Sequence, residues 1–306
     1  MWIFLPVLTV FAQEEPLDLE QLDAYIGQAR KNWEIPGMAV AIVHKGEIIF
    51  EKGYGVRKLG NRGQVNPNTL FAVASNTKSF TAAALAQQVD YGKLSWDDRV
   101  VDYLPYFELY DPYVTQHTTI RDLLCHRVGL KTFSGDLLWY RTDYPVEEVI
   151  RRARHLEPVF PFRSHFGYSN IMYAAAGEVL EAVTDTTWDE YVKAHFLGPL
   201  RMERTTTTVS VLEQTANVAA PHDYIEGTMQ PIPYMSWDNM APAAAVNSSV
   251  HEMAQWLLMQ LNGGKLHGKR FLSDEQHWEL QSPQTLQPVG RSEAEIWPGR
   301  HFKAYA

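Results

Sequence analysis

Two short stretches of the chain hold the residue types needed to activate an oxygen nucleophile. In FAVASNTKSF, Phe71 to Phe80, a serine and a lysine stand three residues apart, Ser75 and Lys78. At the start of a helix that spacing puts both side chains on one face, one turn from each other. A serine hydroxyl is a poor nucleophile until a base takes its proton, and a lysine whose charged form is disfavoured by burial can be that base. The positive end of the helix then lies where an oxyanion would form on an acyl group attached to Ser75. The second stretch, FGYSNIMYAAAGEVL, carries Tyr168, Ser169 and Asn170 just ahead of an apolar helical run.

Each motif alone is weak. With 13 serines and 11 lysines among 306 residues, chance supplies about 0.5 S-x-x-K pairs, and the plain reading is an N-cap serine followed by a solvated lysine. Tyr-x-Asn occurs by chance at a similar rate, and its plain reading is an aromatic loop with an asparagine turn. The weight comes from finding both, in this order, each beside an apolar helix.

The elements that must hold these residues read as follows. Leu19, Leu22, Ile26, Ala29 and Trp33 recur at steps of three and four, which predicts an amphipathic helix over 18–33 ending before Pro36-Gly37. MAVAIVHKGEIIFEKGYGV predicts an antiparallel hairpin turning at His44-Lys45-Gly46-Glu47. From Ser75 a helix is expected to run to Gly92, a C′ glycine. Thr119 and Asp122 have the spacing of a capping box, Pro145 that of an N1 proline, and VEEVIRRARHL, IMYAAAGEVLEAVT and SSVHEMAQWLLMQLNGG read as further helices. A helix and hairpin followed by a block of helices define an α+β chain, an antiparallel sheet flanked by helices plus a mostly helical part. The expected division is 18–72 with about 245–306 for the α/β part, and 73–244 for the helical part. A hairpin is marginal alone, and RHFKAYA reads as the beginning of another strand, so the sheet is expected to be incomplete, its last strands lying beyond residue 306.

Composition limits the function. The net charge is −9 and there is no basic run, which argues against nucleic acid or an anionic membrane surface as partner. A small molecule or short peptide fits better. Residues 2–12, WIFLPVLTVFA, are too short an apolar run to span a bilayer and have the size of a signal-peptide core, with Val10 and Ala12 at acceptable cleavage positions. The positive n-region is missing, so the run is either the remnant of a signal peptide whose start lies upstream or an apolar N-terminal strand; the first reading, with export to a periplasmic or extracellular compartment, is the expectation. The single cysteine, Cys125, excludes an internal disulfide and reads as a small buried residue. The 11 histidines show no H-E-x-x-H or H-x-H spacing, so no zinc centre is expected, nor any other cofactor.

Taken together, Ser75, Lys78, Tyr168 and Asn170, with TIRDLLCHRVGL, LGPLRMERTTT and APAAAVNSSVHEMAQWLLMQLNGG, resemble the penicillin-recognising serine hydrolases. These comprise class C β-lactamases, D-alanyl-D-alanine carboxypeptidases and related esterases and D-aminopeptidases, and the resemblance runs from about residue 18 to the end. It implies that Ser75 is acylated, with Lys78 as its proton partner and Tyr168 as the second member of the relay. Tyr168 would act as a phenolate or through a proton shared with Lys78, because a nearby ammonium lowers a phenol's pKa. Asn170 would hold a substrate carbonyl or fix Lys78, and the Ser75 N–H would be half of an oxyanion hole. The family's third motif, Lys or His followed by Ser or Thr and Gly, is absent. Asp185, Arg201, Ala244 and Ala245 stand where relatives often carry glycine. His126 is implied to be structural. Tyr103, Tyr106, Phe107, Tyr110 and Tyr113 read either as a packed layer over helices or as the wall of a cleft. The implied activity is hydrolysis of an amide or ester through an acyl-enzyme; the alternative is a ligand-binding protein on the same fold without turnover.

Overall fold

The computed structural model describes residues 17–305; the signal-like run at 2–12 lies outside the described residues. The first helix is Leu19–Asn32, its start fixed by Asp18, whose carboxylate accepts the Gln21 N–H at 2.9 Å. The hairpin follows as strands Gly37–His44 and Glu47–Gly55. Lys45 and Gly46 both take positive φ, 50° and 83°, the geometry that lets a two-residue turn match the twist of its strands. Asp23 clamps the helix to the second strand, accepting from Lys52 Nζ and Tyr54 OH at 2.6 Å each. The helix Val250–Leu261 packs on the hairpin from elsewhere in the chain. Among the described residues the two strands pair only with each other. The strand Lys303–Tyr305 pairs instead with Thr285–Gln287.

The helical part is built around Thr77–Asp90. Phe80, Ala83, Ala84, Leu85 and Ala86 are wholly buried, and polar Thr77, Lys78, Thr81, Gln87 and Gln88 are buried with them, so the helix is enclosed on all sides rather than along one apolar stripe. Around it lie the helices Asn170–Thr184, Trp188–Val192, Ala241–Ala244 and Asp274–Glu279, and Phe80 stacks on Trp256 with ring centroids 3.9 Å apart.

The predicted helices form, with small and informative shifts. The central helix starts at Thr77 rather than Ser75, which sits in a 3₁₀ turn, Ala74–Asn76. Ala74 has φ +46°, a left-handed conformation that costs an L residue roughly 1–2 kcal/mol. Pro145 is the residue before the first turn of Val146–Arg152, not inside it. The capping box of Thr119 and Asp122 is present, and buried Asp122 also pairs with Arg127 and Arg163 at 2.6 Å each. Asp185 and Arg201 adopt the left-handed backbone, φ 52° and 60°, that glycine would take more easily. Ala244 and Ala245 are right-handed and do not need it. The aromatic cluster is a packed layer: Phe107 is buried, Tyr103 donates to Asp98 at 2.7 Å and Tyr106 to Glu178 at 3.0 Å, while Tyr110 and Tyr113 face solvent. No described helix is long and apolar enough to cross a membrane.

Candidate active site

Ser75 is exposed and Lys78 is buried, 4% exposed, so the 3₁₀ turn presents the hydroxyl while the first helical turn withdraws the amine. Three contacts fix that turn to the 241–248 segment. The short strand Phe71–Ala72 pairs with Asn247–Ser248, the Val73 N–H donates to Val246 O at 3.0 Å, and the Val246 N–H donates to Thr77 Oγ1 at 3.0 Å.

Ser75 Oγ accepts from Tyr168 OH at 2.6 Å and from Lys78 Nζ at 3.2 Å. The lysine also donates to Asn170 Oδ1 at 2.8 Å and to Ala243 O at 2.9 Å, which uses all three N–H bonds of an ammonium. Burial pushes Lys78 down to about 7, against the opposing pull of the Asp136 carboxylate. A large fraction of neutral amine is therefore present near neutral pH, in contact with the hydroxyl it would deprotonate.

Tyr168 and Asn170 arrive from the other side of the site. His126, fully buried and at φ 56°, accepts the Ser169 N–H on Nδ1 at 3.0 Å. The Gly167 N–H donates to His126 O at 2.8 Å, and the Phe133 N–H to Tyr168 O at 2.8 Å. Gly167 is needed for this docking because an added Cβ would lie 1.8 Å from Leu130 O. Burial, with a smaller contribution from Lys78, pushes His126 down to about 3, so it is a neutral scaffold under the Tyr168 ring, 4.5 Å away by centroids. Its part is structural, as the resemblance implies.

Two expectations are refined. Burial raises the Tyr168 phenol above its ordinary value, outweighing the Ser75 hydrogen bond that lowers it, so the phenol is protonated at neutral pH and the expected lowering does not occur. Asn170, left open between substrate and lysine, contacts Lys78. One residue was missed by the sequence reading. Asp136 accepts from Asn170 Nδ2, 3.2 Å from Oδ2, and from Trp139 Nε1 at 3.1 Å. It lies in a loop at no motif spacing from the other four, so periodicity could not find it. Beside Ser75 and Lys78 opens a cavity of about 350 Å³, walled in part by Tyr173, Tyr305, Trp256 and Gln260.

The architecture is similar to that of the octameric penicillin-binding protein homologue from Pyrococcus abyssi. The two structures superpose with a TM-score of 0.76 at 26% identity, over 88% of this chain and 61% of that one. A family model described as Beta-lactamase matches residues 22–295. The chain belongs to the Beta-lactamase family. Among curated relatives, Protein flp of Staphylococcus aureus strain MW2 is 29% identical over 79% of this chain and 49% of its own length. Unguisins hydrolase ungD' of Aspergillus campestris is 28% identical over 94% of this chain and 51% of its own length. The chain thus spans about half the length of the curated relatives it matches.

Proposed function

We propose that this chain carries the acylation centre of a serine hydrolase that cleaves an amide or ester bond through a covalent acyl-enzyme on Ser75. The observation that carries the reading is the double contact on Ser75 Oγ, from Lys78 Nζ at 3.2 Å and Tyr168 OH at 2.6 Å, with the lysine held near 7. That one relative is named a hydrolase accords with it.

In the proposed reaction neutral Lys78 takes the Ser75 proton as Oγ bonds to the substrate carbonyl carbon, whose π pair moves onto oxygen. Collapse of the tetrahedral intermediate expels the alcohol or amine, which receives the phenolic proton of Tyr168. The proton held by Lys78 then replaces it. Water repeats the attack on the acyl carbonyl, giving up one proton to the same pair, and release of the carboxylic acid restores the Ser75 hydroxyl. Asn170 acts on Lys78 in this scheme.

The substrate class, whether β-lactam, D-amino-acid peptide or carboxylic ester, is tested by turnover of nitrocefin, a D-alanyl peptide and p-nitrophenyl esters by the wild type and Ser75→Ala. Turnover of at least one of them, lost in Ser75→Ala, is the expected result. Turnover that survives the substitution, or none on any of the three, contradicts the reading.

A further inference from the structure

Asp136 opens the 3₁₀ turn Asp136–Leu138, directly after Gly135. Gly135 has φ +80°, and an added Cβ would lie 2.5 Å from Leu156 Cδ1 and 2.9 Å from Ile171 Cδ1, so the backbone that delivers Asp136 is closely held. The carboxylate accepts the Trp139 Nε1–H at 3.1 Å on Oδ1, and Asn170 Nδ2 lies 3.2 Å from Oδ2 and 3.4 Å from Oδ1. Burial raises the Asp136 carboxyl above its ordinary value, against the opposing hydrogen bonds from Trp139 and Asn170 and the nearby Lys78 charge; in its ionised form it only accepts, so the asparagine turns its NH₂ toward Asp136 and its carbonyl oxygen away. On that far side stands Lys78 Nζ, 2.8 Å from Asn170 Oδ1.

Resting on the acyl-enzyme reading above, we propose that Asp136 is a positioning residue of the Ser75 site: it fixes the Asn170 amide with its oxygen toward Lys78 and supplies the carboxylate charge that acts on the lysine. The other groups facing Lys78 are the Ser75 hydroxyl and the rings of Tyr168 and Tyr173, with His126 held neutral behind them. None of these offers a negative charge at neutral pH. Loss of the Asp136 charge therefore removes a stabilising influence on the ammonium and lets the neutral amine persist to lower pH.

The test is the rate constant for labelling of Ser75 by a fluorophosphonate between pH 5 and 10, in the wild type and two variants, with melting curves to establish folding. The wild-type rate should rise through pH about 7. In Asp136→Asn the plateau should fall about tenfold or more, because the Asn170 amide is no longer orientated, and the midpoint should move down by roughly half a pH unit or more. The exchanged variant Asp136→Asn/Asn170→Asp restores the donor–acceptor match but places the carboxylate against Lys78, and its midpoint should move above that of the wild type. If Asp136→Asn alone does not fold, the exchanged variant carries the test. An unmoved midpoint in either folded variant overturns the inference. Absence of Ser75 labelling in the wild type overturns the acyl-enzyme reading itself, so the two failures are told apart.

Discussion

At the scale of single residues, the site is a balance between burial and contact. Lys78 has three acceptors around its nitrogen and almost no exposure, yet burial still outweighs the carboxylate of Asp136 and brings it to about 7. In the proposed reaction Lys78 is the general base. A base works deprotonated, so kcat/KM should rise as pH climbs through about 7, the value to which Lys78 is brought, and fall away below it. A pH profile whose acid limb lies near pH 4, where carboxylates titrate, would count against lysine as the base. Lys78→Arg puts a permanently charged group at that position and should lower the acylation rate by about 10²–10⁴-fold, the span of general-base catalysis. Because the proposed reaction passes its protons through Lys78 and Tyr168 as one unit, the double variant Lys78→Ala/Tyr168→Phe should be hardly worse than the poorer single. Losses that multiply would show that the two act independently.

At the scale of elements, the site is the meeting of the Thr77–Asp90 helix, the Asn170–Thr184 helix and the Ala241–Ala244 turn. The closeness of the last two is set by Gly177, where an added Cβ would lie 2.1 Å from Pro242 Cγ. Gly177→Ala should therefore destabilise the fold by about 1–3 kcal/mol through overpacking, despite alanine's better helix propensity. It should also slow acylation, because Pro242 precedes Ala243, whose carbonyl holds Lys78 at 2.9 Å. Gly27→Ala, in the first helix with nothing within 4 Å, should instead be neutral or stabilising by up to about 1 kcal/mol. Denaturant melts of the two variants check the contrast. The elements were largely legible in the sequence, because apolar spacing, the Thr119–Asp122 cap and the turn at Lys45-Gly46 are local signals. Ser75, Lys78, Tyr168 and Asn170 were legible as motifs flanking helices. The 3₁₀ entry to the central helix was not, since Ala74 takes the left-handed φ +46°, which no local signal announces, and the lead-in is held by hydrogen bonds to Val246, far off in the sequence. Asp136 and the packing of Gly177 were hidden for the same reason: tertiary neighbours define them.

At the scale of the molecule, the burial is uneven. The buried cluster runs from Phe80 to Leu272, through the 73–244 helices and on into the segment that follows them, whereas the hairpin residues 37–55 are no better than half-buried. A hairpin that pairs, among the described residues, only with itself, and is covered by the Leu19–Asn32 and Val250–Leu261 helices, should open at lower free energy than a helix buried on all sides. Hydrogen exchange of the 306-residue chain should accordingly show the amides of Thr77–Asp90 and Asn170–Thr184 as the slowest, with those of the hairpin exchanging earlier. Equal protection across the two would mean that the molecule opens only as a whole. The ordering bears on function, because the residues gathered around Ser75 belong to the part expected to be firm.

The central claim is that Ser75 is the nucleophile, and the measurement that tests it most directly is intact mass with peptide mapping after exposure to a fluorophosphonate. A single added phosphonyl group, mapped to Ser75 and absent from Ser75→Ala, is the expected result. Labelling that persists in Ser75→Ala, or that maps to Ser79 or Ser169, contradicts it.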